Sequence, residues 1–369
     1  MKKMLAIAIR VDASSQIGIG HFMRCLTLAD ALKQRGAQIR FVCRHLPKYL
    51  QDMLVNKGHE LMRLNNKPNG AIIDTLAHAH WLGVSQNQDA AATKHALSGQ
   101  AWDWLIVDHY ALDARWESAL RQVAKKILVI DDIADRQHAC DVLLDQNFYV
   151  DMETRYTDKV PAHCQLLLGP RYALLRDEFL WLREQTKPRL GAVKNILVFF
   201  GGVDPENCTS LVIQALTSMS NEGLHVDVVI GAQHPNYEQI RQACYARGYT
   251  CHVQTKRMAE LMAAADLAIG AGGSTTWERM CLGLPAIVIS IADNQTPTNQ
   301  ALMKAGYINF LGELSSVTEA DIVAGIHHCL ASPDVLRIQS TMGRQLVAGG
   351  GAGLVCEQIF AESRKLNAA

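Results

Sequence analysis

Apolar and polar positions run along the chain in alternating blocks whose lengths suit buried strands and amphipathic helices in turn. The first block, residues 4–11, is a continuous apolar run interrupted only by Arg10, and it reads as a fully buried strand. Behind it Phe22, Leu26, Ala29 and Leu32 recur at helical spacing, and Gly36 closes that helix as a left-handed cap. A strand Gln38–Cys43, a polar helical region, a weak strand at 60–64 and a helix over 86–97 follow. A buried strand over 104–107, a helix over 113–123 and a strand over 127–130 continue the series. Residues 141–170 show no steady period and are expected to be irregular, and 186–191 read as a linker. The pattern then restarts: a strand over 195–200, a helix through Leu216, a strand over 226–230, a short strand near His252, a strand from Asp266 and a strand over 286–291. Strands that alternate with helices specify a parallel sheet covered on both faces, so the fold class is α/β. A restart after a linker, in a chain of 369 residues, indicates two domains.

Three strand exits carry glycine turns that lead into helices. The first is Ile17-Gly18-Ile19-Gly20-His21, with Arg24 one helical turn later. Its helix start favours anionic groups and keeps an imidazole neutral, which a general base requires. A dinucleotide fingerprint would need a third glycine where Met23 stands and an acidic residue after the second strand, where Arg44 stands. The second turn is Gly201-Gly202-Val203-Asp204-Pro205. The third, Gly270-Ala271-Gly272-Gly273-Ser274-Thr275, runs into a helix bearing Glu278. Its amides and hydroxyls suit a diphosphate, and Glu278 suits two ribose hydroxyls; equally, glycines there serve packing and Ser and Thr serve as helix caps. Ligands bind beyond the carboxyl ends of parallel strands, which gathers Asp12, His21, Asp108, His109, Tyr110, Asp131 and Asp132 on one rim. Each taken singly suits a cap or a turn. The pattern as a whole is that of GT-B enzymes: two Rossmann-like domains with parallel sheets facing a cleft. The expected division is 1–170, 171–350 and a last helix at 351–369, with the domains joined near 165–193. The glycine run at 349–353 either lets that helix cross back to the first domain or forms a surface loop.

Lys plus Arg and Asp plus Glu both number 36, so no basic field points to nucleic acid or an anionic membrane. The opening apolar run is too short for a signal segment, and no later run approaches a membrane span. Ten cysteines without a Cys-x-x-Cys pair suit reduced thiols in a cytoplasmic enzyme. His78, His80, His327 and His328 lack companions at ligand spacing and read as exposed polar residues, so no metal site and no cofactor is expected.

These motifs together resemble the UDP-sugar hydrolases of pseudaminic-acid synthesis, a family related to MurG. The likeness rests on Val11-Asp12-Ala13-Ser14, Ile17 to His21 and Met23 to Leu26. Further support comes from Asp108-His109-Tyr110, Asp131-Asp132, Cys140-Asp141, Leu144 to Asn147 and Leu168-Gly169-Pro170 with Tyr172 to Arg176. It is completed by Gly201 to Pro205, Gly270 to Ser274 with Trp277-Glu278-Arg279, and Asn294-Gln295. It covers nearly the whole chain, with one departure: Val203 stands where the family usually has serine. Some relatives carry a fused acetyltransferase, for which this chain is too short.

The resemblance implies metal-independent hydrolysis of UDP-2,4-diacetamido-2,4,6-trideoxy-β-L-altropyranose with inversion, and His21 as the base that activates water. Asp12, Gly18, Gly20, Arg24, Asp108, His109, Tyr110, Gly201, Gly202, Asn294 and Gln295 are then the residues expected at the sugar. Gly272, Gly273, Ser274, Thr275 and Glu278 are those expected at UDP. Asp12 is the expected orienter of the His21 ring, and His109 is the rival base. Two other readings stay open: a GT-B glycosyltransferase with a UDP-sugar donor, and a non-catalytic nucleotide-sugar binder, which would have no need of His21.

Overall fold

A computed structural model describes residues 4–64, 74–219 and 223–368. The chain forms two compact units. The first comprises Met1–Asn147, Asp151–Leu174 and Gly350–Ala369, and the second Phe148–Val150 and Leu175–Gly349.

The first unit is built on seven parallel strands: β1 (Ala6–Val11), β2 (Gln38–Cys43), β3 (Glu60–Arg63), β4 (Trp102–Asp108), β5 (Ala124–Ile130), β6 (Val142–Asp145) and β7 (Gln165–Leu168). Their order is β3-β2-β1-β4-β5-β6-β7, so the chain reverses its direction of travel between β1 and β4. There Val11 lies opposite Asp108, and a doubly wound sheet opens its ligand crevice at this point. Two strands fall in the segment expected to be irregular. β6 and β7 have four residues each and lie where the polar and apolar positions keep no steady period, yet Val142, Leu143 and Leu144 are fully buried. The helix expected over 113–123 is shorter, Ala114–Leu120, because the chain turns early to begin β5 at Ala124.

The last helix, Gly351–Ala368, belongs to the first unit and packs on the helix Gly20–Gln34. Val355, Cys356 and Ile359 are fully buried in that core, and a fully buried Val or Ile contributes about 1.5–3 kcal/mol. Its start requires glycine: a Cβ on Gly351 would sit 2.3 Å from the Ala173 carbonyl oxygen.

The second unit has six parallel strands, β8 (Asn195–Phe199), β9 (His225–Ile230), β10 (Thr250–Val253), β11 (Leu267–Ala271), β12 (Ala286–Ser290) and β13 (Asn309–Glu313), in the order β10-β9-β8-β11-β12-β13. Its reversal falls between β8 and β11. The two glycine loops of this unit leave these two strands, so both stand at its crevice.

Candidate active site

In the first unit, the turn after β1 is closed by Gly18, which adopts φ +76° and donates its amide to the Ser14 carbonyl at 2.8 Å. The helix Gly20–Gln34 starts without a side-chain cap and without an acidic residue in its first turn. His21 is its second residue. The Nδ1 of His21 lies 2.5 Å from Asp108 Oδ1, and its side chain is 11% exposed. Arg24 clamps the same carboxylate, Nε to Oδ2 at 2.6 Å and Nη2 to Oδ1 at 2.7 Å, and reaches Asp132 with Nη1 at 2.7 Å. The Tyr110 hydroxyl donates to Asp132. Burial alone would raise the Asp108 pKa, but the charges of Arg24 and His21 and their hydrogen bonds outweigh it and hold the group well below the usual carboxylate range. An ionised Asp108 only accepts, so His21 donates to it from Nδ1, and Nε2 is the ring nitrogen not engaged by this carboxylate. Arg24 Nη2 also lies 3.2 Å from Nδ1, but both are donors, so the carboxylate decides the tautomer.

The expected roles of Asp12 and His109 need correction. Asp12 is fully buried. Its Oδ1 accepts the amides of Arg44 at 2.7 Å and His45 at 3.1 Å, and its Oδ2 accepts from Arg10 Nη2 at 2.9 Å. It therefore ties β1 to the turn after β2 and touches neither His21 nor solvent; Asp108 orients the ring. His109 has a side chain only 1% exposed, accepts the Ala111 amide on Nδ1 and lies 3.3 Å from Asp12 through Nε2. Burial lowers its pKa against the pull of Asp12, which leaves a neutral, enclosed imidazole. Asp108, Arg24 and Tyr110 are also buried. Asp131 is spent on Arg136 at 2.9 Å and on the Ala134 amide at 2.9 Å.

Beside His21 stands an aromatic group that the sequence reading passed over. His78, read as an exposed polar residue, is half-buried and stacks on Trp81. The available signal was a lone tryptophan between two histidines, His78 and His80, and the apolar Leu82 and Val84.

In the second unit, Arg279 lies fully inside. It donates to the Ala271 carbonyl at 2.9 Å and the Thr276 hydroxyl at 3.1 Å, which fastens the end of β11 to the helix Thr275–Cys281. Burial pushes its pKa down to about 10, with Glu278 pulling upward. Gly272 is required for packing, since a Cβ there would sit 2.0 Å from Asn299 Nδ2. Gly273 meets no such wall, with Gln295 Nε2 at 3.9 Å from a notional Cβ. Ser274 is exposed and Thr275 half-buried, and Ser274 makes no side-chain cap on its own helix, so its hydroxyl is uncommitted to capping. Glu278 has a side chain 17% exposed, with Arg176 Nη2 3.4 Å from Oε1; burial raises its pKa and Arg176 opposes that. Gly201 and Gly202 are half-buried, Gln295 is half-buried and Asn294 is exposed. Asp204 is a buried cap that accepts the amides of Cys208 and Thr209 at 3.0 and 2.8 Å; the exposed Val203 beside it plays no part in this cap.

A cavity of about 560 Å³ in the first unit lies at the amino ends of β4 and β5, lined by Lys94, Trp102, Arg121 and Lys125 and remote from His21. Among the described residues no group of three His, Cys, Asp or Glu is placed to hold a metal ion, and no helix is long and apolar enough to cross a membrane. The ten cysteines are free thiols.

Two doubly wound units with glycine loops at their reversals give the chain a GT-B-like fold. MurG of Acinetobacter baumannii matches the chain with a TM-score of 0.64 at 16% identity, over 97% of this chain and all of that one. Residues 195–347 match the glycosyltransferase family 28 C-terminal domain. Among curated relatives, the UDP-2,4-diacetamido-2,4,6-trideoxy-beta-L-altropyranose hydrolase of Campylobacter jejuni is 25% identical over 305 residues, 82% of this chain and 98% of that protein. The spore coat polysaccharide biosynthesis protein SpsG of Bacillus subtilis is 25% identical over 350 residues, 94% of this chain and 95% of that one. An uncharacterized protein of Methanocaldococcus jannaschii is 24% identical over 292 residues, 77% of this chain, which spans about half of its length (55%).

Proposed function

We propose that the protein is a UDP-sugar hydrolase that inverts the anomeric centre, and that its substrate is UDP-2,4-diacetamido-2,4,6-trideoxy-β-L-altropyranose, as in pseudaminic-acid synthesis. The observation that carries this reading is the pair His21–Asp108, in which the carboxylate holds Nδ1 at 2.5 Å and leaves Nε2 as the ring nitrogen that can meet a water. In this reading Nε2 takes a proton from water as the water oxygen attacks the anomeric carbon. The bond from that carbon to the diphosphate oxygen breaks, and UDP leaves with the electron pair. The second unit binds UDP, with the Gly272-Gly273-Ser274-Thr275 loop at the diphosphate and Glu278 at the ribose. UDP is a good leaving group, so neither a strong general acid nor a metal is required. The name of the Campylobacter relative supports the substrate.

A GT-B glycosyltransferase is the second reading, favoured by the match of residues 195–347 and by the MurG likeness. The same base would then deprotonate an acceptor hydroxyl. Incubation with the UDP-sugar, EDTA and no acceptor separates the two. Hydrolysis predicts full release of UDP and free sugar by mass spectrometry, and a loss of about 10²- to 10⁴-fold in His21→Ala. UDP release only when an acceptor is added, or only when magnesium or manganese is restored, would refute the hydrolase or its metal independence respectively.

A further inference from the structure

The hydrolytic reading uses His21 and Asp108 but leaves unexplained the rings packed beside them. Trp81 sits in a single helical turn, Ala79–Leu82, anchored by the buried Leu82 and by Val84 just beyond it. The His78 ring stacks on its indole, centroids 4.4 Å apart and planes 8° from parallel. The Tyr110 ring lies 5.5 Å from Trp81 at 24° and 5.2 Å from His78. The block meets His21 with planes nearly perpendicular: Tyr110 lies 4.6 Å from its ring at 82°, and Trp81 6.3 Å at 80°. Exposure is graded across the block, with Tyr110 buried and its hydroxyl tied to Asp132, and Trp81 and His78 only half-buried. Burial lowers the His78 pKa, so it stacks as a neutral ring. Core packing would have enclosed the indole; here Trp81 stays half-buried beside His21.

We propose that Trp81, backed by His78 and Tyr110, is the apolar wall of the sugar subsite and selects a deoxy, acetamido-substituted hexose. This rests on the hydrolase reading and names what that site recognises. A 2,4-diacetamido-2,4,6-trideoxy hexose has lost the hydroxyls at positions 2, 4 and 6 and carries methyl groups on C5 and on both acetamides, which suit an aromatic face. A hexose that keeps its 4- and 6-hydroxyls would press unpaired polar groups against that face.

The test compares wild type, Trp81→Ala and Trp81→Phe on the trideoxy UDP-sugar and on UDP-N-acetylglucosamine, with kcat, KM and pH profile measured for each. Trp81→Ala is expected to raise KM for the trideoxy donor roughly 10- to 100-fold, keep kcat within about threefold and narrow the preference over UDP-N-acetylglucosamine. Trp81→Phe should recover most of the loss. Unchanged KM in a folded Trp81→Ala, with wild type active, overturns the wall alone. A fall in kcat with a displaced pH profile and unchanged KM also overturns it, because the ring would then only position His21. A wild type that hydrolyses neither donor overturns the hydrolase reading and the wall with it. If Trp81→Ala does not fold, as judged by circular dichroism and UDP calorimetry, Trp81→Gln carries the same comparison.

Discussion

Asp108→Asn keeps the shape of the side chain and removes the property on which the proposed base depends. The carboxylate receives His21 Nδ1 at 2.5 Å, Arg24 Nε at 2.6 Å, Arg24 Nη2 at 2.7 Å and Cys25 Sγ at 3.5 Å. An amide offers one accepting oxygen; with that oxygen at the Oδ2 position, where Arg24 Nε and Cys25 Sγ donate, the nitrogen stands at the Oδ1 position. The amide nitrogen then faces Nδ1, which must accept, and the imidazole proton moves to Nε2. A ring in that tautomer cannot take a proton from water, so turnover should fall toward the upper end of about 10²- to 10⁴-fold. Stability should fall too. Breaking a buried pair costs about 3–5 kcal/mol, and the lower figure applies here because Asp132 still holds Arg24 Nη1 at 2.7 Å. Asp12→Asn is the matched comparison: it disturbs an equally buried carboxylate bound to Arg10, so it should lose similar stability and leave the pH profile of turnover in place. The assays are turnover against pH, UDP calorimetry and urea unfolding. A folded Asp108→Asn with turnover within a few fold of wild type would refute the tautomer argument.

Two further outcomes follow from buried groups elsewhere. Glu278→Ala should weaken UDP binding by roughly 30- to 150-fold, the equivalent of about 2–3 kcal/mol for a charge-assisted contact to ribose, with the fold intact; unchanged affinity in calorimetry removes Glu278 from the site. Stability should fall between pH 6.5 and 8. His138, enclosed with Glu117 at 2.7 Å, has its pKa pushed up to about 9 because the pull of Glu117 and Asp131 exceeds the cost of burial. Asp145 is pushed up to about 8 by burial and by Asp132 and Asp131. Both hold a proton more tightly folded than unfolded. The His138 contribution is therefore complete below its unfolded value of 6.5 and lost as pH rises through 9, and that of Asp145 is complete below 3.8 and lost through 8. Each group erodes stability by at most about 1.4 kcal/mol per pH unit, while depressed carboxylates such as Asp108 are already ionised in both states across this range. Urea midpoints that stay flat or rise from pH 6.5 to 8 would contradict this.

What the sequence by itself determined is what consecutive residues can encode. A buried strand, a glycine turn and an apolar face at helical spacing lie within residues 4–36, so the place of His21 at a helix start was legible before any tertiary contact was known. The same holds for the loop before Glu278. Three-dimensional packing decided which partner each of these residues meets. Asp12 and Asp108 both leave strands at one rim, but β1 lies between β2 and β4, and Asp12 is spent on the β2 side, on the amides of Arg44 and His45. Asp108, 87 positions from His21, arrives on the other side, beneath the helix. Strand order depends on which apolar faces cover one another, and no local period records that. β6 and β7 are no shorter than β3 and β10, which the pattern did show; they were illegible because their three-residue apolar runs, Val142–Leu144 and Leu166–Leu168, lie in a segment without steady alternation of strand and helix. Gly272 was legible as a glycine turn, but its need for glycine comes from Asn299, 27 positions onward, whose side chain fills the space a Cβ would take. Trp81 was visible only as a lone aromatic; its place beside His21 is set by stacking between rings that the sequence holds 29 residues apart and the sheet brings within 5.5 Å.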